Sequence, residues 1–263
     1  MKQLLVILSI AGISFSALGQ ETKKQVKNRK EEKKQRINAL IKQEEEGVIA
    51  YRRSFAVGLK LTSDGYGIFI EKGFARSVKK ATLIQLDISE RKHQKEEKQS
   101  LANVPSSPFI YGKINFFYPV KLGVQQQFLL GNKSNKNGVS VTANVGGGLA
   151  LGLLRPYEVE VDKNGTPTYI KYESDDSLLF LSQNSILNGP GFGKGWDGLK
   201  MVPGIYLKPA LRFDYGRFNE MISAIEVGVT GEFYAKKIPQ MVYSKQKQFF
   251  FGAYFSLVFG RRK

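Results

Sequence analysis

The chain has 263 residues, 42% of them hydrophobic, with no cysteine, one histidine and a formal charge of +17. That length suits one large domain or two small ones. The missing cysteine excludes a disulfide scaffold and a lipid-modified cysteine anchor. Beyond the opening segment no apolar run is long enough for a helical membrane span.

The chain opens MKQLLVILSIAGISFSALGQ. Lys2 supplies a charged start, Leu4 to Ile13 an apolar run, and Ala17 and Gly19 the small residues before a cleavage point at Gln20. This is the pattern of an exported precursor, with residues 1–19 as a signal peptide. Export removes the nucleic-acid reading that a charge of +17 invites. The basic segment over 20–50 is rich in Lys, Glu, Gln and Arg, with a single apolar stripe of Ile37, Leu40 and Ile41 and a stop at Gly47. One stripe builds no core, so the segment reads as a solvated helix or disordered spacer. Its cations offer a contact to an anionic surface such as phospholipid headgroups, a cell-wall polymer or an acidic periplasmic partner.

From Tyr51 onward the hydrophobic period is two, which predicts strands. Phe55, Val57, Leu59 and Leu61 alternate with small and polar residues; after the turn TSDGYG, Tyr66, Ile68 and Ile70 resume the pattern. Thr82, Ile84, Leu86 and Ile88 form a third strand, and SERKHQKEEKQS a polar loop. Over 109–131, Ile110, Ile114, Phe116, Tyr118, Val120, Leu122, Val124, Phe128 and Leu130 all hold even positions, and the phase survives passage through Pro119, predicting one long strand with an irregularity there. After the turn GNKSNKNG come a strand from Val139 to Leu153, an insertion over 155–203 with a small hairpin at Asn164-Gly165, and strands around 205–214 and 225–233. QFFFGAYFSLVFGRRK supplies the last strand, with Phe250 and Val258 out of pattern.

Eight strands result, and after the first short turn the linkers alternate between short and long. An even strand count with alternating linkers fits an antiparallel up-and-down transmembrane β-barrel over 51–263, with 155–203 on the long-loop, extracellular side. The face opposite the apolar one is glycine-rich and carries Lys60, Glu71, Asp87, Lys113, Lys121, Lys208, Arg212, Asp214, Glu226 and Glu232. Cations and anions are equal in number there, the composition of a narrow lumen in which each buried charge needs a partner. A soluble exterior would carry denser Lys and Glu and less glycine. Tyr66, Tyr118 and Tyr215 fall toward strand ends, as in an aromatic girdle.

Together, the signal peptide, the alternating strands and the terminal SLVFGRRK resemble the small Gram-negative outer-membrane β-barrel proteins of the eight-stranded type. The resemblance implies insertion among outer-membrane lipid, assisted by barrel-assembly machinery that reads an aromatic last strand. Phe251, Tyr254, Phe255, Leu257 and Phe259 match that signal in kind, while Gly260 to Lys263 extend past the last Phe.

The candidates for chemistry are few. His93 lies in a polar loop between Lys92 and Lys95, and neither a second histidine nor a cysteine exists to complete a metal site. Asp175-Asp176-Ser177 has no base beside the serine. GPGFGKGWDG lacks the strand and helix of a phosphate-binding loop and reads as a compact loop, with Trp196 as anchor and partner-binding residue. An eight-stranded barrel is just wide enough to be filled by its own side chains. The expectation is therefore a non-enzymatic structural or partner-binding envelope protein without cofactor, metal or nucleic acid. The alternatives are a narrow conduit for a small or apolar solute and, third, an envelope enzyme.

Overall fold

A computed structural model describes residues 51–100, 107–133, 138–173, 175–216 and 220–263, together with Arg29, Glu31, Glu32, Gln35 and Ala39. The chain divides into two units, Met1–Ala50 and Tyr51–Lys263. In the first unit the five described residues are helical. The signal peptide and the rest of the basic segment lie outside the described residues.

The second unit contains strands β1 (Arg53–Thr62), β2 (Gly65–Ser77), β3 (Lys80–Arg91), β4 (Lys98–Gln99), β5 (Phe109–Ile110), β6 (Asn115–Gly131), β7 (Ser140–Pro156), β8 (Glu158–Lys163), β9 (Thr166–Lys171), β10 (Ile186–Asn188), β11 (Lys200–Asp214), β12 (Met221–Ile238) and β13 (Lys247–Arg262). Eight of them close into an antiparallel barrel in the order β1-β13-β12-β11-β7-β6-β3-β2, with β2 paired back onto β1. The seam is drawn tight beyond the strand ladder, where Arg53 N–H donates to the Lys263 carbonyl at 2.8 Å and Lys263 N–H returns to Arg53 at 2.7 Å. Each barrel strand thus has two partners and no edge is left to pair with another chain.

The faces fall as the alternation predicts. Leu61, Leu149 and Phe251 point outward at 64%, 69% and 65% exposure, within a belt that continues through Ile68, Ile88, Leu122, Ile205 and Phe233. A closed sheet with an aliphatic and aromatic exterior is a transmembrane β-barrel. Two apolar clusters fill parts of the interior. One joins Phe117, Ala150, Leu154, Val202, Tyr206, Tyr234, Ile238 and Phe250, and the other Ala56, Phe69, Ile222, Ala224 and Val258. Along β12 the sequence of inward residues runs Ile222 and Ala224, then Glu226 and Glu232, then Tyr234 and Ile238. Charge is held between two apolar clusters. Phe250 and Val258, which break the alternation of the last strand, belong to these clusters.

Glycine makes the filling possible. Gly58 pairs across the sheet with Phe69, and a Cβ at 58 would sit 2.2 Å from the Phe69 ring. The ring occupies the space a side chain would take.

Two boundaries differ from the sequence reading. The fourth barrel strand begins at Asn115 rather than 109, because Gly112 turns the chain at φ +71° and Phe109–Ile110 pairs with Lys98–Gln99 instead. Pro119 is accommodated inside β6 opposite Gly152. The long insertion shrinks to 157–199, since β7 runs through Pro156 and β11 starts at Lys200.

The long connections sit together at one end. β8, β9 and β10 form a three-stranded sheet, with β8 and β9 joined by a turn at Asn164 (φ 57°) and Gly165 (φ 81°), as Asn-Gly predicts. Phe109, Ile110, Tyr157, Val159, Val161, Ile170, Phe180, Ile186 and Met241 make its core. Three separate connections contribute to that core. It is a cap built on the barrel rim.

Candidate functional site

Inside the barrel, ten side chains form matched ion pairs in two groups. In the first, Arg91 Nε lies 2.8 Å from Asp64 and Arg91 Nη1 3.2 Å from Glu232; Lys121 reaches Glu232 at 2.8 Å and Asp87 at 3.6 Å; Lys60 donates to Asp87. In the second, Arg212 grips Glu71 with Nη1 and Nη2 at 2.6 and 2.8 Å and holds Glu226 at 2.6 Å, while Lys208 reaches Glu226 at 3.0 Å. Gln85 links the groups, accepting from Lys208 Nζ at 3.1 Å and from Gln125 Nε2. The hydroxyls of Tyr234 and Tyr254 donate to Glu232 and Glu226 at 2.9 and 2.8 Å. Removing Arg212 leaves Glu71, and removing Asp87 leaves Lys60, as a buried charge without its counterion.

Eight of the ten predicted lumen charges are in these groups: Lys60, Glu71, Asp87, Lys121, Lys208, Arg212, Glu226 and Glu232. Lys113 is not in the lumen. It precedes β6 in the cap, 2.6 Å from Glu96 and 4.2 Å from the centre of the Phe116 ring. Burial lowers its pKa, and the Glu96 carboxylate works in the opposite direction. The turn at Gly112 takes it out of the strand phase that assigned it inward. Asp214 does face inward, but at the short-turn mouth, where Arg262 at 2.5 Å and Lys133 at 3.5 Å meet it. Arg91 and Asp64 take the two vacated roles. The sequence puts them in a polar loop and a turn, although Arg91 continues the inward odd phase of Gln85, Asp87 and Ser89.

The cap has its own anchor. Arg155 lies 4.0 Å from the centre of the Phe116 ring and 4.9 Å from that of Trp196, and its Nη1 donates to the Phe192 carbonyl at 2.7 Å. Trp196 stacks on Tyr118 at 6.0 Å and donates from Nε1 to the same carbonyl at 2.8 Å. The predicted anchor thus ties the 189–198 loop to the barrel wall. Beside it the cap presents Phe192 at 81% exposure and, earlier in the insertion, Leu178 at 87%.

In the last strand Phe251, Phe255, Leu257 and Phe259 point outward, whereas Tyr254 points inward to Glu226. Only four of the five aromatic-signal residues can therefore be met from the lipid side.

His93 and Ser244 line one small recess with Ile238, Gln240, Met241 and Lys247. His93 Nδ1 accepts from Lys95 N–H at 3.2 Å, and Glu96 accepts from the His93 backbone rather than its ring. Burial lowers the pKa of His93; Glu96 opposes the shift, and Lys247, Lys95 and Lys113 reinforce it. Among the described residues no carboxylate orients the ring as it would in a nucleophile–base arrangement. Asp176 instead pairs with Lys163 at 3.1 Å. Among the described residues no cluster of three or more His, Asp or Glu could hold a metal ion.

No family model matches the chain, and no curated protein matches it. Among solved structures it is similar to Neisserial surface protein A, at 9% identity over 80% of this chain and 96% of that one, with a TM-score of 0.37. It is also similar to Ail, the attachment invasion locus protein of Yersinia pestis, at 10% identity over 80% and 96%, with a TM-score of 0.36. The N-terminal β-barrel domain of Pseudomonas aeruginosa OprF follows at 10% identity over 79% and 96%, with a TM-score of 0.34. At such scores the fold rests on the strand order, register and burial of the chain itself.

Proposed function

We propose that the chain is a non-enzymatic envelope protein of a Gram-negative outer membrane, which binds partners through its cap and through the basic segment 20–50. In this reading the short turns face the periplasm and the cap faces outward, the usual arrangement of such barrels. One observation carries the proposal. The lumen is filled, while the long connections are built into a cap with its own apolar core and two strongly exposed apolar side chains, Leu178 and Phe192. A protein whose channel is occupied by its own side chains works through its surfaces. The filled lumen also weighs against the conduit reading, and His93 without an orienting carboxylate weighs against an enzyme.

The test is crosslinking and capture from intact cells, comparing the full chain with one lacking 21–47 and one in which a short turn replaces 158–199. Loss of a distinct partner set with each deletion supports the proposal. Identical partner lists from all three overturn it.

A further inference from the structure

The two ends of the barrel differ sharply in charge. At the short-turn end, the described residues of segments 51–53, 72–80, 131–139, 214–221 and 261–263 carry ten Lys and Arg against two carboxylates, Asp214 and Glu220. At the cap end, segments 62–65, 92–114, 155–200 and 236–247 carry thirteen against ten. The excess charge of the barrel unit is therefore concentrated at one rim.

Position adds to number. Arg53, Lys72, Arg76, Lys79, Lys80 and Arg261 are all exposed, and no carboxylate among the described residues pairs with them. Five of the six, Lys79 excepted, extend the outward face of their strands, immediately below the apolar belt. Lys72 and Arg261 both stand opposite Phe55 in the ladder. The Lys72 ammonium lies 5.7 Å from the centre of the Phe74 ring and that of Lys80 5.8 Å from the Phe128 ring. Interleaved cations and aromatic rings at the edge of an apolar belt sit at headgroup depth, with the long stems running along hydrocarbon and the charges reaching the phosphates.

We propose that this rim selects anionic phospholipid headgroups in the leaflet it faces. The inference rests on the membrane reading above and adds a ligand class to a surface that the partner-binding proposal does not use. A soluble polyanion would be met by cations directed away from the belt; these flank it. Each cation near an anionic surface strengthens binding about five-fold at low salt, and screening erodes this as salt rises.

The experiment uses the full chain reconstituted in phosphatidylcholine vesicles containing a minority of phosphatidylglycerol, with spin-labelled lipids reporting the motionally restricted shell. The expected result is an enrichment of phosphatidylglycerol over phosphatidylcholine of about five-fold or more, falling with added chloride. Lys72→Gln, Arg76→Gln, Lys80→Gln and Arg261→Gln together bring it near parity. Lys236→Gln, Lys237→Gln, Lys245→Gln and Lys247→Gln, an equal loss of charge at the cap end, leave it unchanged. Equal enrichment in the wild type and the first variant overturns the proposal. So does displacement of the lipid by inorganic phosphate beyond the effect of chloride at matched ionic strength, which would mark a free-phosphate site. If the protein inserts with heat-modifiable migration but shows no lipid preference, only this inference falls. If it does not insert into these vesicles at all, the membrane reading falls with it.

Discussion

Arg212 and Glu71 stand 141 positions apart in the chain and meet inside the barrel through two parallel hydrogen bonds of 2.6 and 2.8 Å. The same guanidinium holds Glu226 from the adjacent strand β12. One arginine therefore separates two carboxylates that would otherwise repel each other in a place water cannot easily reach.

Arg212→Met leaves Glu71 and Glu226 without their shared cation and destabilises the barrel by about 3–5 kcal/mol. Denaturant titration of the detergent-folded protein, read by heat-modifiable migration, measures the loss. Adding Glu71→Gln to that variant recovers part of it, because one stranded charge is removed. Strict additivity of the two substitutions would show that the pair is not coupled.

Planar-bilayer recording of the wild type should show no discrete conductance steps. Phe117, Tyr234 and Phe250 pack ring against ring at 5.2 to 5.8 Å between centres, and the ion-paired groups lie next along the strands. Regular ion-selective openings would refute the filled-lumen account.

Arg155→Ala removes the cation between the Phe116 and Trp196 rings along with the bond to the Phe192 carbonyl. Such cation–π contacts are worth about 0.5–2 kcal/mol each. The expected outcome is faster tryptic cleavage at Lys194 and Lys200 while the barrel keeps its heat-modifiable migration. Unchanged cleavage at those sites would mean the 189–198 loop is held by its other contacts.

The imidazole of His93 should titrate below its ordinary value of about 6.5, because burial disfavours the cation. The unfolded chain then takes up the proton more readily than the folded one. The loop's stability is accordingly full above about pH 6.5 and declines as pH falls from there through the lower, folded value. NMR of the single histidine across this range checks it, and a midpoint at or above the ordinary value would contradict the burial argument. His93→Ala should leave partner capture unaffected.

Strand number and sidedness were legible because a strand exposes its two faces at alternate residues and only one of these faces is apolar. Lys60, Asp87, Lys121 and Glu226 could be placed inside on that basis alone. Lys113 could not be placed correctly, since an even–odd phase counts through Gly112 as though no turn were there. Tyr254 shows the same limit from the other side: its aromatic character suggested the lipid signal, while its position in the alternation sends it to Glu226.

By itself the sequence determined the period, the eight barrel strands and the composition of each face, because these are properties of consecutive residues. Tertiary structure alone decided which charges share a partner, how Phe109, Ile110 and Met241 join the insertion in one cap core, and that the cations gather at one rim. Those relations depend on barrel closure and stagger, which bring together residues far apart in the chain, and no local pattern encodes that distance.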